Sequence, residues 1–248
     1  MSNIIYGRNS VKEAIKSNRN ISCLFKDKSL KVEKGPILQI LTLAKNKNIP
    51  IKCLDSKDLD LKAEMGNHQG ILAQVEDYKY SSIDEILDLA KKKNEQPFII
   101  IADGIEDPHN LGAIIRTAEC AGAHGVIIPK HNCTGVTSTV EKVAVGATEY
   151  MKVARVTNLS RTLEDLKKVG IWSYCADMDG KAYYSTDFSG PVALIVGSEG
   201  KGVRPLIKKS CDFVVSIPLL GKISSLNASV AAGILMYEVS KTRTLNKK

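Results

Sequence analysis

The 248-residue chain contains no apolar run near the roughly 18 residues that a membrane helix needs. Its first residues, Met1-Ser2-Asn3-Ile4-Ile5-Tyr6-Gly7-Arg8, lack the basic and apolar regions of a signal peptide, so a cytoplasmic protein is expected. The six cysteines (Cys23, Cys53, Cys120, Cys133, Cys175, Cys211) are scattered, and none pairs as Cys-x-x-Cys. That argues against a zinc site or a disulfide framework. His68, His109, His124 and His131 show no metal-ligand spacing either, so no metal is expected. Without secretion, the sequons at Asn20 and Asn132 carry no meaning. Three common catalytic signatures are also missing. Gly197-Ser198-Glu199-Gly200-Lys201-Gly202 is glycine-rich, but Val203-Arg204 follow where a P-loop needs Lys and Ser/Thr. No Gly-x-Gly-x-x-Gly opens a strand-helix turn, which disfavours a dinucleotide site. No Gly-x-Ser-x-Gly elbow is present for a hydrolase.

What remains is ordinary globular composition, 44% hydrophobic and 25% charged. The length allows two modest domains or one large one. The net charge is +8, which points to a polyanionic partner. Residues 1–77 hold 13 Lys+Arg against 9 Asp+Glu, and residues 97–248 hold 18 against 14. The excess is the same over half the length, so the N-terminal part is the more basic per residue, which fits an accessory nucleic-acid-binding domain.

Residues 4–17 read as a short strand and a helix capped near Asn9 or Ser10. Strands follow at 21–26, 49–54 and 71–75, with an amphipathic helix at 35–47. This is a small α/β domain, residues 1–77. Residues 78–96 read as a linker with a helical turn or two, closed by Pro97; Lys91 to Lys93 suit a solvated helix end. From 97 to 248, strands are predicted at 98–103, 125–128, 152–156, 171–176, 192–196 and 212–216. Helices are predicted at 111–122, 139–147, 158–169, 203–209 and 226–240. Such alternation implies a mostly parallel sheet with helices on both faces.

Parallel sheets bind ligands at the carboxyl ends of their strands. Three polar blocks fall there: Asn110 to Glu119, Gly197 to Gly202, and Ile217 to Ala231. Taken singly, each has a structural explanation. Asn110 is a good helix N-cap, Glu199 a solvated loop carboxylate and Arg116 a salt-bridging cation at a core edge. Ser224, Ser225 and Asn227 are either caps of the last helix or ligand contacts. Thr137, Ser138 and Glu141 read as a capping box.

Together the blocks carry a resemblance. Asn110-x-Gly112-x3-Arg116-x2-Glu119, Gly197-Ser198-Glu199-Gly200-x-Gly202 and Ile217-Pro218-x6-Ser225-Leu226-Asn227-x-Ser229-x-Ala231 look like the three motifs of the SpoU (TrmH) family of RNA 2'-O-ribose methyltransferases. The resemblance spans Pro97 to the end. Tyr6-Gly7-Arg8-Asn9-Ser10-Val11-Lys12-Glu13-Ala14 and Asn67-His68-Gln69-Gly70-Ile71 resemble the substrate-binding domain of RlmB-type enzymes. Those enzymes methylate a guanosine 2'-hydroxyl in large-subunit ribosomal RNA. The resemblance implies a SPOUT fold with a C-terminal trefoil knot, S-adenosyl-L-methionine as methyl donor, ribosomal RNA as partner and a homodimer. It places the donor against Gly197, Ile217, Leu219 and Leu226. It assigns catalysis to Asn110, Arg116, Glu199, Ser225 and Asn227, with Arg116 removing the 2'-hydroxyl proton. A guanidinium ordinarily holds its proton to a pKa above about 12. Arg116 is therefore either an unusual base or an anchor for phosphate and oxyanion. A transfer-RNA guanosine target and a non-catalytic RNA-binding ribosome-assembly factor are the rival readings.

Overall fold

The computed structural model describes residues 2–30 and 35–245. The chain forms two compact units. One runs from the N-terminus through Lys79 and includes Val136–Tyr150; the other comprises Tyr80–Gly135 and the chain from Met151 onward.

The first unit runs β1 (Ser2–Tyr6), α1 (Arg8–Lys16), β2 (Ile21–Asp27), α2 (Pro36–Asn46), β3 (Ile51–Leu54), α3 (Ser56–Lys62) and β4 (Ile71–Glu76). Its sheet has the order β1-β4-β2-β3. Strand side chains alternate between faces, and both faces are covered. Ile5, Leu24 and Ala73 meet Val11, Ile15, Ile40 and Ala44 of α1 and α2. Tyr6, Phe25 and Leu72 meet Leu59 of α3. Helix α3 was not anticipated. Leu59 is its one buried side chain, so no apolar period announces it. Helix α1 starts two to three residues earlier than expected, after Gly7 rather than a side-chain cap.

Residues 136–150 were expected to belong with their chain neighbours in the second domain. They fold instead with the first unit, as α6 (Ser138–Val143) and a 3-10 turn at Ala147–Glu149. The expected helix through 147 stops early, because Val145 (φ 56°) and Gly146 (φ 90°) turn left-handed. A β-branched residue there is strained, at about 1–3 kcal/mol. Gly146 is required by packing: a Cβ would lie 2.6 Å from Glu13 Cβ of α1. The capping box is also corrected. Thr137 caps α6 alone, its hydroxyl accepting from Val140 N (3.3 Å). Glu141 sits one position too far along and is buried. It pairs with Arg19, which also holds Glu149 at 2.8 Å.

The second unit runs α4 (Ile83–Lys92), β5 (Phe98–Asp103), α5 (Pro108–Cys120), β6 (Gly125–Pro129), β7 (Lys152–Val156), α7 (Leu159–Lys168), β8 (Trp172–Ala182), β9 (Val192–Gly197), α8 (Pro205–Ser210), β10 (Phe213–Ser216) and α9 (Ala228–Leu245). The order is β10-β8-β9-β5-β6-β7, and every pairing is parallel. Ile99, Ile101 and Ile195 face α4, α7 and α8. The alternate residues, Ile100 and Leu194, are equally buried on the opposite face, where α5 and α9 pack on each other and on the sheet. The stretch read as a linker therefore holds a structural helix. Ser82 and Glu85 form a full capping box on α4, and its Ile86 and Ala90 are buried. Strand β8 runs six residues past its expected end. Residues 176–180 bulge out between its two stretches of pairing with β10, so that Lys181 and Ala182 rejoin Val215 and Ser216.

Candidate functional site

Strands β5 and β9 are neighbours, but the chain leaves β5 toward β6 on one side and returns to β9 from β8 on the other. This is the topological switch point of the sheet, where a crevice opens at the carboxyl ends. Asp103 ends β5 opposite Gly197 at the end of β9. Asp103 is buried, and its Oδ1 accepts from Arg204 Nε at 2.8 Å and Nη2 at 2.7 Å. Its Oδ2 accepts from Arg204 N at 2.9 Å. The loop 198–204 is thereby fastened across both strand ends. Gly200 (φ 76°) and Gly202 (φ 64°) give it left-handed turns, and Ser198 bridges to Gly202. A Cβ on Gly197 would collide with the Gly202 backbone, so the loop closes only on glycine.

Glu199, carried by this loop, meets two residues from distant parts of the chain. Its Oε1 accepts from Asn110 Nδ2 (3.1 Å), from Asn227 Nδ2 and from Ala228 N (3.4 Å). Asn227 Nδ2 also donates to Asn110 Oδ1 (2.9 Å). The other end of the Asn227 amide caps α9: Oδ1 accepts from Ser229 N (3.0 Å) and Val230 N (3.3 Å). Asn227 thus caps α9 with its oxygen and bonds Glu199 and Asn110 with its nitrogen. Asn110 is not the cap of α5; Asp107 is, accepting from His109 N (2.8 Å) with Pro108 next in the helix. Asn110 lies buried in the first turn, free to face Glu199. All three bonds to Glu199 fall on one oxygen, and Glu199 itself is exposed.

Two cavities share this wall. One, of about 260 Å³, is lined by Gly197, Ile217, Leu219, Ser225 and Leu226 together with Val196 and Ala231. All four residues expected to hold a donor are in it. Asp177 and Met178 enter from the bulge of β8. The other, of about 200 Å³, is lined by Gly104, Glu106, Asp107 and Asn110. Ser198, Glu199 and Lys201 line both. Asn227 lines neither directly, and Arg116 joins neither. It lies on α5 six residues after Asn110, which turns it about 120° away around the helix. It is exposed and has no hydrogen bond or ion pair among the described residues. The Asp103–Arg204 latch and the Asp177 bulge were not foreseen. Their only trace in the sequence is an Asp at a strand end and an Arg just past a glycine loop.

Among the described residues, no cluster of His, Cys, Asp or Glu can hold a metal ion, and no helix is long and apolar enough to cross a membrane.

The profile of the SpoU rRNA Methylase family matches residues 97–237, which carry every residue of this site. The chain belongs to that family. A second profile, RNA 2'-O ribose methyltransferase substrate binding, matches residues 4–81. Among SpoU-family relatives, the chain is 47% identical to a Bacillus subtilis protein named as a TrmH family tRNA/rRNA methyltransferase, over 96% of this chain and 95% of that one. A Staphylococcus saprophyticus protein of the same naming is 40% identical, over 97% and 96%. The SpoU methyltransferase AviRb from Streptomyces viridochromogenes, solved in complex with AdoMet, superposes with a TM-score of 0.80 at 24% identity, covering 98% of this chain and 91% of that one. As a SpoU-family member, the protein is an RNA methyltransferase.

Proposed function

We propose that the protein methylates a ribose 2'-hydroxyl, using S-adenosyl-L-methionine, on a guanosine of large-subunit (23S) ribosomal RNA. The observation that carries the reading is the Asn110–Glu199–Asn227 network, whose Glu199 lines both cavities. One cavity takes the donor and the other the acceptor ribose. The larger cavity fits the donor's chemistry: Ile217, Leu219 and Leu226 suit the faces of a purine, and Glu199 and Asp177 suit a cationic donor. When bound, the donor supplies a methyl group already activated by the sulfonium charge. The protein's task is alignment and proton handling.

Asn110, Asn227 and Ala228 N hold one Glu199 oxygen in place and leave the other to accept the hydrogen bond of the 2'-hydroxyl. Arg116 lies exposed, outside both cavities, and keeps its guanidinium free for substrate; it anchors an RNA phosphate. Ser225 completes the rim. The N-terminal unit holds the RNA, as the substrate-binding profile over 4–81 supports. A trefoil knot formed by the C-terminal segment, a cytoplasmic location and a homodimer are part of the same reading. Val230 and Tyr237, exposed on α9, supply apolar surface for the dimer.

The test incubates the protein and labelled donor with unmethylated 23S ribosomal RNA and, separately, with transfer RNA, then maps the product by mass spectrometry. A 2'-O-methylguanosine in the 23S RNA is expected. Label in transfer RNA alone moves the substrate to the class that the relatives' names also mention. Transfer to neither RNA rejects the activity and favours a non-catalytic assembly factor.

A further inference from the structure

In the first unit, two cations stand together without an acid. Arg8 opens α1, and Lys142 comes from α6, far away in sequence. The Lys142 ammonium lies over the Tyr6 ring, 5.7 Å from its centroid. The ring is wedged in place from another side, since a Cβ on Gly66 would sit 2.7 Å from the Tyr6 hydroxyl. A Cβ on Gly7 would fall on the ammonium itself, so the turn leading into Arg8 makes room for this lysine. Arg8 is tied to the neighbouring loop by its backbone N, donating to Gln69 Oε1 (3.0 Å), and by Nε, donating to Gln69 O (3.3 Å). Among the described residues, its two terminal nitrogens have no partner.

Neither cation has a carboxylate partner among the described residues. The acids on their own helices are engaged elsewhere: Glu13 with Lys16 and Tyr150, Glu141 with Arg19. Burial, and after it the neighbouring Arg8, pulls the Lys142 ammonium below the ordinary lysine range. Lys142 thus lies against the residue before Arg8 and feels its charge, a cost that a bound anion offsets.

We infer that Arg8 and Lys142 form a clamp for an RNA backbone phosphate, with Tyr6 as its floor. The inference rests on the reading of the substrate as RNA and deepens it. The clamp is completed by a residue outside the 4–81 substrate-binding match, from within the stretch that matches the methylase profile. RNA binding by the first unit therefore depends on Val136–Tyr150 being folded onto it. A phosphate contact of this kind positions RNA and carries no sequence preference.

The experiment measures binding of the full chain to an unmethylated 23S transcript and to a fluorescein-labelled single-stranded RNA oligonucleotide across a salt series. Arg8→Gln and Lys142→Met are made singly and together; Met keeps an apolar stem over Tyr6. Lys142→Arg keeps the charge. Each neutral variant is expected to lower affinity several-fold and to flatten the log–log salt slope on the oligonucleotide by about 0.7 per lost contact. Lys142→Arg is expected to restore both. Calorimetric binding of S-adenosylmethionine should be unchanged in all of them. A double variant with wild-type affinity and slope overturns the clamp. Affinity lost equally in Lys142→Met and Lys142→Arg also overturns it, because that marks packing rather than charge. These outcomes are distinguishable from failure of the activity itself, which appears as a wild-type protein that transfers no methyl group to RNA.

Discussion

At the residue scale, Asn227 does two jobs with the two ends of one amide. Its oxygen caps α9 and its nitrogen holds Glu199 and Asn110. Asn227→Ser separates them, since serine caps about as well as asparagine. The melting temperature should stay within the equivalent of about 0.5 kcal/mol of wild type. Methyl transfer should fall about tenfold or more, because the amide donor that orients Glu199 is gone. A variant that melts normally and turns over normally would remove Asn227 from the site. Arg116 poses the complementary question. As an anchor it is served partly by any cation, so Arg116→Lys should keep about a tenth of the activity and Arg116→Ala lose about a hundredfold. Complete loss in the lysine variant, with donor binding intact, would assign the proton to Arg116 instead. The motif spacing made Asn110, Glu199 and Asn227 legible together. That Arg116 turns away from them was not, because spacing along a helix fixes an angle only after the helix start is known, and α5 starts three residues earlier than its apolar pattern suggests.

At the element scale, the loop from β9 to α8 shapes both cavities, and its conformation depends on close backbone approach. Gly197→Ala forces a Cβ into the Gly202 backbone. Such overpacking costs about 1–3 kcal/mol. Calorimetry should show S-adenosylmethionine binding weakened far more than global stability, measured by denaturant titration. Unaltered donor affinity would show that the loop does not shape the donor cavity. Element positions were largely visible in the sequence: all six strands of the large sheet start within a residue of where the apolar runs place them. The exceptions share a cause. Helix α3 buries one leucine, and β8 continues through the polar stretch Asp177-Met178-Asp179-Gly180, so neither has an apolar period to read.

At the scale of the whole molecule, a buried histidine sets a pH limit. His124 Nδ1 accepts from Phe98 N (3.0 Å), and Nε2 faces Glu95 at 3.2 Å. This joins the starts of β5 and β6 to the residues after α4. Burial holds the imidazole below its ordinary range despite Glu95. The folded state therefore favours neutral His124, while the unfolded chain protonates near pH 6.5. Stability from this group is present above about pH 6.5 and is lost as pH falls below it. Melting curves between neutral and mildly acidic pH should show a steeper loss in wild type than in His124→Gln; parallel curves would exclude the linkage. The assembly is tested separately by sedimentation. A species of twice the 27.0 kDa chain mass is expected at micromolar concentration, and a single-chain species alone would refute the homodimer.

From the sequence alone came the α/β alternation, the parallel sheet, the chemistry at its carboxyl ends and the three blocks that meet there. The alternation and the sheet follow from local periodicity; the chemistry and the grouping of the three blocks came from the resemblance of their motifs to the SpoU family. Tertiary structure decided the partners. Glu141 looks like half of a capping box until the left-handed turn at Val145-Gly146 lays its segment on α1, where Arg19 meets it. Asp103 is one strand-end carboxylate among several until Arg204 reaches it from 101 residues away. Lys142 becomes a neighbour of Arg8 only because residues 136–150 fold with a unit to which chain order does not assign them. Periodicity reports which face of an element is buried; it carries no record of which distant side chain will lie against it.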